Sequence, residues 1–318
     1  MVIATDDYAS IGKALRGFRS QGDLARLEIV IAAMGGAVLG RDAAELAGFP
    51  HVTIVAAASP DIDIGRAEAV AVSETTAPFV VFAEGCACPS PGFVDAMIAA
   101  CASGKGDVIG PGMENANPSS ATSWAGMRIN YGRWLADATP GVVSDVAGHN
   151  SAYRRDAVLS LGDELSDVMQ SLTAVQQELR ARGGVVYLEP SARVQMLNVS
   201  RPGWYLVDQF GKGRQFATHR CRRWSPLQRL AYAVGTPLIP LMRLARMAAS
   251  LRRKGQLSEF WQGARPLLVV AGLIASAAGE CVGYTVRGHA STGFFERNLR
   301  RGKFVRASDR VHAAAPTP

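Results

Sequence analysis

Hydrophobic residues in the first third of the chain fall into short runs rather than long stretches. Each run is rich in apolar and β-branched residues, and segments with helical spacing or turn residues separate one run from the next. The runs are residues 1–4, 27–33, 52–56 and 79–83. Residues 156–182 are predicted as a further helix and residues 185–188 as a further strand. This alternation is typical of a mostly parallel sheet covered by helices.

The segment between the first two runs is the clearest predicted helix. Ser10 can cap a helix that runs to Arg19, and its apolar positions recur at spacings of four and three. In open α/β sheets, ligands bind beyond the carboxyl ends of the strands. We therefore expect the binding site in the loops after the runs, at residues 6–7, 33–36 and 84–88.

Beyond residue 200 the chain carries two longer apolar stretches, residues 230–242 and 266–279. Their lengths are those of core, re-entrant or interfacial helices. The second stretch becomes long enough to span a bilayer only if Glu280 is included, and a carboxylate at membrane depth is costly. The pattern predicts an α/β domain over residues 1–200 and a helical region over residues 201–318.

Charge divides the chain in the same way. The net charge is +7, but residues 1–198 carry 14 Lys and Arg against 22 Asp and Glu, whereas residues 199–318 carry 20 against 5. An acidic body of −8 is therefore followed by a basic region of +15, which favours phosphate-bearing partners. The five cysteines are odd in number and contain no CxxC pair, which excludes a disulfide scaffold.

Residues 148–159 read Gly-His-Asn-Ser-Ala-Tyr-Arg-Arg-Asp-Ala-Val-Leu. This stretch resembles the G-x-N-x-A-φ-R-R-x-x-L segment, where φ is aromatic, with which the acceptor site of family 2 glycosyltransferases begins. Other segments resemble that family in the same order, and the last of them is similar to the apolar C-terminal helix of its bacterial membrane-associated members. They are residues 2–21, 65–82, 89–93, 179–190 and 278–284.

The resemblance implies a GT-A fold, a Rossmann-like and mostly parallel α/β sheet flanked by helices, followed by a membrane-associated helical region. It implies an inverting hexosyltransferase that moves a sugar from a nucleotide-sugar donor to a lipid-linked or envelope glycan acceptor in polysaccharide biosynthesis. The expected location is the cytoplasmic face of the bacterial inner membrane. The alternative is a member that has lost catalysis and serves as a partner or scaffold subunit.

An Asp-x-Asp motif holds a divalent cation, Mg²⁺ or Mn²⁺, against the donor diphosphate in that family. The corresponding residues here are Glu84-Gly85-Cys86. Glu84 can supply a carboxylate to the metal and the donor, but the thiol of Cys86 is a poor ligand for a hard cation. The resemblance thus implies a cation site of which one ligand is missing.

The family's nucleobase-binding aspartate falls near Ala33, where this chain has no acid. Asp6 and Asp63 are the candidate substitutes from neighbouring loops. Arg66 is a candidate for contact with the diphosphate, against the alternative of a solvated surface arginine. Asn150 is a candidate for the acceptor pocket, against the alternative of hydrogen bonds that only satisfy its loop.

The family's catalytic base aligns with Ser171-Leu172, so it is absent in that register. Asp167 and Glu164 lie one or two turns earlier and are the candidate bases. The alternative is that both are acids of a first helical turn, where they stabilise the helix dipole.

The basic region offers Lys212 and Arg214 either to the leaving diphosphate or to an anionic membrane surface. Ala275, Gly279 and Gly283 form a small-residue stripe at four-residue spacing, suited to self-association, to a partner subunit or to a tightly packed helix pair. The sequence contains no recognised nucleic-acid module, so nucleic acid is not an expected partner.

Overall fold

Strands alternate with helices along the first part of the chain, and helices alone follow. The structure is a computed structural model that describes residues 1–41, 43–56, 64–222, 224–256, 265–286 and 300–312. They form two compact units. The first unit is Met1–Glu114 with Arg133–Met196, and the second is Asn115–Gly132 with the described part of Leu197–Pro318.

All of the described strands belong to the first unit. They are β1 (Val2–Thr5), β2 (Glu28–Ala33), β3 (His51–Ala56), β4 (Phe79–Val81), β5 (Ala87–Pro89), β6 (Val108–Asn115), β7 (Gly141–Val142), β8 (Ala152–Arg154) and β9 (Val186–Met196), with only Asn115 at the end of β6 in the second unit.

The described α-helices are divided between the units. The first unit contains α1 (Tyr8–Arg19), α2 (Ile64–Ser73), α3 (Phe93–Ala102), α5 (Arg155–Leu159), α6 (Leu165–Val168) and α7 (Leu172–Ala181). The second unit contains α4 (Ala121–Tyr131), α8 (Pro202–Arg220), α9 (Pro226–Gly235), α10 (Ile239–Arg253), α11 (Arg265–Thr285) and α12 (Ala307–His312).

The described strands form a parallel three-stranded sheet and a six-stranded sheet that contains antiparallel pairs. Strands β1, β2 and β3 pair in parallel, with Ile3 opposite Ile31 and Ile31 opposite Ile54. A parallel bridge between Val2 and Phe82 connects β1 to the end of β4. Strand β8 then returns antiparallel to both β4 and β6, and β9 runs antiparallel to β5 and β7. The prediction of a mostly parallel sheet therefore holds for the first three strands and is wrong for the rest.

Two predicted helices differ in detail. Asp7, rather than Ser10, caps α1, because its carboxylate accepts a hydrogen bond of 2.6 Å from the backbone N–H of Ser10. The single helix predicted over residues 156–182 is broken into α5, α6 and α7. Gly162 lies at the break with φ +56°, a left-handed conformation that cannot continue a right-handed helix.

The core of the first unit orders the loop before β8. Phe82 and Tyr153 are fully buried and meet edge to face, with ring centroids 5.4 Å apart. The buried amide of Gln176 on α7 accepts from the Val146 N–H at 3.0 Å and donates to the Tyr153 hydroxyl at 2.9 Å. The Tyr153 hydroxyl donates in turn to the Gly148 carbonyl at 2.7 Å. Residues 146–153 are thus fixed by buried hydrogen bonds.

Glycines bring α8 and α11 unusually close in the second unit. A Cβ on Gly279 would lie 2.0 Å from the Phe210 carbonyl oxygen, and a Cβ on Gly213 would lie 2.0 Å from the Ser276 carbonyl oxygen. Gly283 meets α8 in the same way. Of the alternatives for this small-residue stripe, the tightly packed helix pair is the one observed, since α8 of the same chain covers Gly279 and Gly283.

We expect Gly279→Ala to lower the free energy of unfolding by about 2 kcal/mol, the typical cost of forcing extra volume into a packed interface. Urea unfolding followed by circular dichroism measures it. Gly235→Ala is the matched control, because nothing lies within 4 Å of a Cβ there and alanine favours a helix. Equal stability of the two variants would show that α8 and α11 do not pack this closely.

Helix α11 is long and apolar enough to cross a membrane by length and composition, and half of its most apolar window is buried within the protein. Its Glu280 is 1% exposed and receives the Arg243 guanidinium at 2.8 Å. Burial raises the pKa of Glu280, and the Arg243 charge opposes that rise. The pairing with α10 satisfies the carboxylate inside the second unit.

Candidate functional site

The carboxyl ends of β1 and β2 meet in the first unit, and the end of β4 pairs with the start of β1. The Met34 N–H donates to the Thr5 carbonyl at 2.8 Å, and the Ala83 N–H donates to the Val2 carbonyl at 2.8 Å. The loop after β4 is pressed on the start of α1, since a Cβ on Gly85 would lie 2.3 Å from the Ser10 carbonyl oxygen. These contacts place Asp6, after β1, and Glu84, after β4, at the same edge of the sheet.

The loop before β8 completes this edge. The Asn150 N–H donates to the Phe82 carbonyl at 2.6 Å, which draws the loop against the end of β4. Asn150 has φ 65°, a left-handed conformation that asparagine tolerates better than most residues. Its side-chain Nδ2 is buried and has no hydrogen-bond partner in the described part of the chain. A buried amide donor without an acceptor is costly, and a bound ligand would supply the acceptor.

His149 lies between two carboxylates. Its Nε2 is 3.3 Å from Glu68 Oε1, and its Nδ1 is 3.5 Å from Glu84 Oε1. Glu68, on α2, is 1% exposed, and its other oxygen has no hydrogen-bond partner among the described residues. Only a doubly protonated imidazole can donate to both carboxylates. The imidazole therefore lies between the buried carboxylate of Glu68 and the carboxylate of Glu84, which follows β4.

Sequence reasoning missed Glu68. A signal was present, because Glu68 stands between Ala67 and Ala69 on a helix whose neighbours are apolar. An acid on the buried face of a helix requires a partner. The partner is His149, about eighty positions away, and the pattern along the chain contains nothing that connects the two.

Arg66, on α2, and Asp167, on α6, lie next to each other. Their side chains are about half exposed, and the guanidinium Nη2 is 3.7 Å from the Asp167 carboxylate. Glu164 is exposed in the single turn Gly162–Glu164 that precedes α6. Asp63 lies outside the described residues. The structure thus places Asp167 beside a cation and leaves Glu164 towards solvent.

Lys212 and Arg214 belong to α8 of the second unit. The Lys212 ammonium lies 2.7 Å from the carboxylate of Asp208, one turn earlier on the same helix, and Asp208 is buried. Arg214 Nε is buried without a hydrogen-bond partner in the described ranges. The charge of Lys212 is therefore balanced within its own helix.

The side chains around Cys86 do not fit a hard divalent cation. The Cys86 thiol lies 3.6 Å from the Met196 sulfur, and Cys88 follows on β5. Burial raises the pKa of Cys88, so its thiol stays protonated and is a poor metal ligand. Within the described ranges, no three His, Cys, Asp or Glu side chains could together hold a metal ion. Mg²⁺ and Mn²⁺ prefer oxygen ligands, which the thiols of Cys86 and Cys88 cannot supply.

Lys13 on α1 is a cation close enough to interact electrostatically with these thiols. Its Nζ is buried and has no hydrogen-bond partner in the part of the chain that the structure describes. Burial lowers the pKa of Lys13, and the two thiols Cys88 and Cys86 lie near enough to oppose that effect. Lys13 is not one of the apolar positions of α1, and it stands in no motif that would select it as a site residue.

No protein-family model matches the chain, and no curated protein matches its sequence. Among solved structures, a mannosyltransferase from Pyrobaculum calidifontis in complex with GDP-Man and Mn2+ is 17% identical, with a TM-score of 0.58, over 88% of this chain and 85% of that chain. S. aureus TarS 1–349 in complex with UDP-GlcNAc is 12% identical, with a TM-score of 0.45, over 88% and 90%. The first of these shows that the chain has the α/β fold of a glycosyltransferase; the second is too distant to add to it.

Proposed function

We propose that this protein transfers a sugar from a nucleotide-sugar donor, which binds where β1, β2 and β4 end. One observation carries the proposal. In a glycosyltransferase fold, the strand ends gather Glu84, His149 and Asn150, whose Nδ2 has no hydrogen-bond partner among the described residues. The family 2 assignment and the inverting mechanism are part of this proposal and follow from the resemblance of residues 148–159.

Sugar transfer requires a charge-stabilised leaving group and a base. The bond between the anomeric carbon and the diphosphate breaks with its electron pair on the diphosphate, while the acceptor oxygen attacks the opposite face and loses its proton. Asp6 is assigned to the nucleoside, Glu84 to the donor sugar and Asn150 to the acceptor. Asp167 is the proposed base, with Glu164 as the alternative.

The test uses the purified full chain with membranes as the source of acceptor. Release of nucleoside diphosphate and labelling of membrane glycan are expected for the wild type, and both are expected to fall in Glu84→Ala and Asp167→Ala. Unchanged turnover in both variants would remove these site assignments. Absence of turnover in the wild type, with nucleotide binding intact, would instead support the role of a partner subunit that has lost catalysis.

That second function has an observation in its favour. The family's base position holds Ser171-Leu172, and Asp167 lies within 3.7 Å of the Arg66 guanidinium. The aligned position thus supplies no acid, and the carboxylate of the candidate base faces a guanidinium. A subunit that only binds the donor would not need a base.

We also propose that the second unit lies on an anionic membrane, where it meets a lipid-linked or glycan acceptor at the cytoplasmic face. Exposed apolar side chains recur every three or four residues along α9, the turn Thr236–Leu238 and α10. They are Leu227, Leu230, Val234, Leu238 and Leu241. Residues 209–258 contain 11 Lys and Arg and no Asp or Glu.

A helical segment with an exposed apolar stripe and basic residues lies in the plane of a bilayer interface, with its cations near the lipid phosphates. We call the surface formed by the five stripe residues, together with Arg229 and Arg243 beside them in the sequence, the basic apolar face. Helix α11 is packed on α8 through its glycines and on α10 through Glu280. The proposal therefore gives membrane contact to α9 and α10, and gives α11 an internal role.

A further inference from the structure

We propose that the ammonium of Lys13, rather than a divalent cation, binds the diphosphate of the donor. The inference rests on the proposed function, because it concerns how the same strand-end site meets the charge of the nucleotide. It makes donor binding independent of metal ions. Three features of the first unit support it.

The first feature is the state of the ammonium itself. Lys13 Nζ is buried, and no hydrogen-bond acceptor for it is present among the described residues. A lysine ammonium has three donors and no acceptor, and burial without a partner is strongly unfavourable. Anionic oxygens of a ligand would satisfy those donors, as phosphate oxygens do for lysines in nucleotide sites.

The second feature is position. Ser10, Lys13 and Gly17 are spaced by three and four residues, so they lie on one face of α1. The loop after β4 covers this face at both ends. A Cβ on Gly85 would meet the Ser10 carbonyl oxygen at 2.3 Å, and a Cβ on Gly17 would meet the Cys88 sulfur at 2.6 Å. Lys13 therefore lies beneath the segment that also carries Glu84.

The third feature is the set of groups that would otherwise hold a cation. Cys86 and Cys88 offer thiols, and Met196 offers a thioether at 3.6 Å from Cys86. Soft sulfur ligands are a poor match for Mg²⁺ or Mn²⁺, and a neighbouring ammonium repels a divalent cation. The same neighbourhood suits an anion, because Arg16 is a second cation close enough to act on Lys13.

Lys13 forms no covalent bond in this scheme. Its N–H groups donate to diphosphate oxygens, and they remain in place when the bond between the anomeric carbon and oxygen breaks. The electron pair passes to the diphosphate, whose added negative charge the fixed ammonium stabilises. Lys13 keeps its proton, and the acceptor's proton goes to the base.

The experiment titrates GDP and UDP into the full chain by calorimetry, once in EDTA and once in Mn²⁺. For the wild type, we expect the dissociation constant of the better-bound nucleotide to differ by no more than about threefold between EDTA and Mn²⁺. Lys13→Met is expected to weaken binding in EDTA by 10-fold or more, the usual effect of losing a charged hydrogen bond. Lys13→Arg, which keeps the charge, is expected to lose less.

Lys105→Met is the matched control, because Lys105 is half exposed and its Nζ lies 3.4 Å from Glu189. Thermal unfolding without ligand gives an independent readout. Methionine replaces a buried, unpartnered ammonium by an apolar chain of similar length, so Lys13→Met is expected to melt at the same temperature as the wild type or higher. Lys13→Met is then expected to weaken nucleotide binding without lowering the melting temperature. A lysine with a purely structural role would not give this combination.

The possible outcomes distinguish failure of the proposed function from failure of the Lys13 inference. If the wild type binds neither nucleotide in either buffer, the proposed function fails. If it binds only in Mn²⁺, or if Lys13→Met binds in EDTA as tightly as the wild type, the Lys13 inference is overturned and the proposed function stands. A Lys13→Met variant that unfolds at lower temperature also counts against the inference, since it would show that the ammonium stabilises the empty protein.

Discussion

Glu84→Gln is expected to lower sugar transfer at least 100-fold and to leave the melting temperature nearly unchanged. Glu84 lies at the tip of β4 with its carboxylate 3.5 Å from His149 Nδ1, and its side chain is 20% exposed. Removing one pre-positioned charged group from a site of developing charge typically costs 100- to 1,000-fold in rate. Glutamine keeps the size and shape of the side chain, so the packing of the loop is expected to persist.

Initial rates of transfer at saturating and limiting donor measure this effect. Glu74→Gln is the control, since it makes the same chemical change at an exposed position after α2. A fall in kcat with little change in KM would show that Glu84 acts mainly in the transition state. A Glu84→Gln variant as active as Glu74→Gln would place the reaction elsewhere and leave the Glu84–His149 contact as a structural pair.

The local pattern predicted the early strands well. The runs at residues 1–4, 27–33, 52–56 and 79–83 each coincide with a strand to within one or two residues, because a buried parallel strand needs an unbroken apolar run. The antiparallel second part of the sheet was missed. Its β5 and β8 are three residues each, too short to show a period, and their partners lie far along the chain.

Errors at the helices have local causes as well. Asp7 and Ser10 are both good capping residues, and the choice between them depends on where β1 ends, at Thr5. The break at Gly162 interrupts a stretch whose composition otherwise favours one helix from residue 156 to residue 182. A single glycine inside a helical pattern does not by itself predict a break, since many are tolerated.

The sequence alone predicted only some residues of the candidate site. Glu84 and Asn150 follow or precede strands and stand in motifs that resemble a family, so pattern alone selects them. Glu68 and Lys13 stand on helices, and their importance comes from what the fold places against them. One is a buried carboxylate beside His149, and the other is a buried ammonium beside two thiols. Such contacts join segments that are far apart in the chain, so they produce no periodic pattern in the amino-acid sequence.

The described charges of the first unit fit a site that works on an anion. The buried Glu68 is compensated by His149, whereas Lys13 has no acceptor among the described residues. An incoming diphosphate would supply acceptors for the N–H groups of this ammonium. A charge that is positioned before the ligand binds favours both binding and transfer.

The double variant Leu227→Asp and Leu241→Asp is expected to bind anionic vesicles at least 100-fold more weakly than the wild type. The two side chains are 76% and 65% exposed and lie at opposite ends of the basic apolar face. Burying one leucine in an apolar environment contributes about 1.5–3 kcal/mol, so loss of both changes the partition coefficient by a factor of 100 or more. Each aspartate also adds repulsion from lipid phosphates.

Co-sedimentation with vesicles of phosphatidylcholine and phosphatidylglycerol, at low and high salt, measures the partition. Leu267→Asp is the matched control, because Leu267 is 74% exposed but stands on α11. If α9 and α10 dock on the bilayer, the control binds like the wild type and the double variant does not. If α11 enters the bilayer instead, Leu267→Asp is the damaging change, and membrane contact through the basic apolar face is wrong.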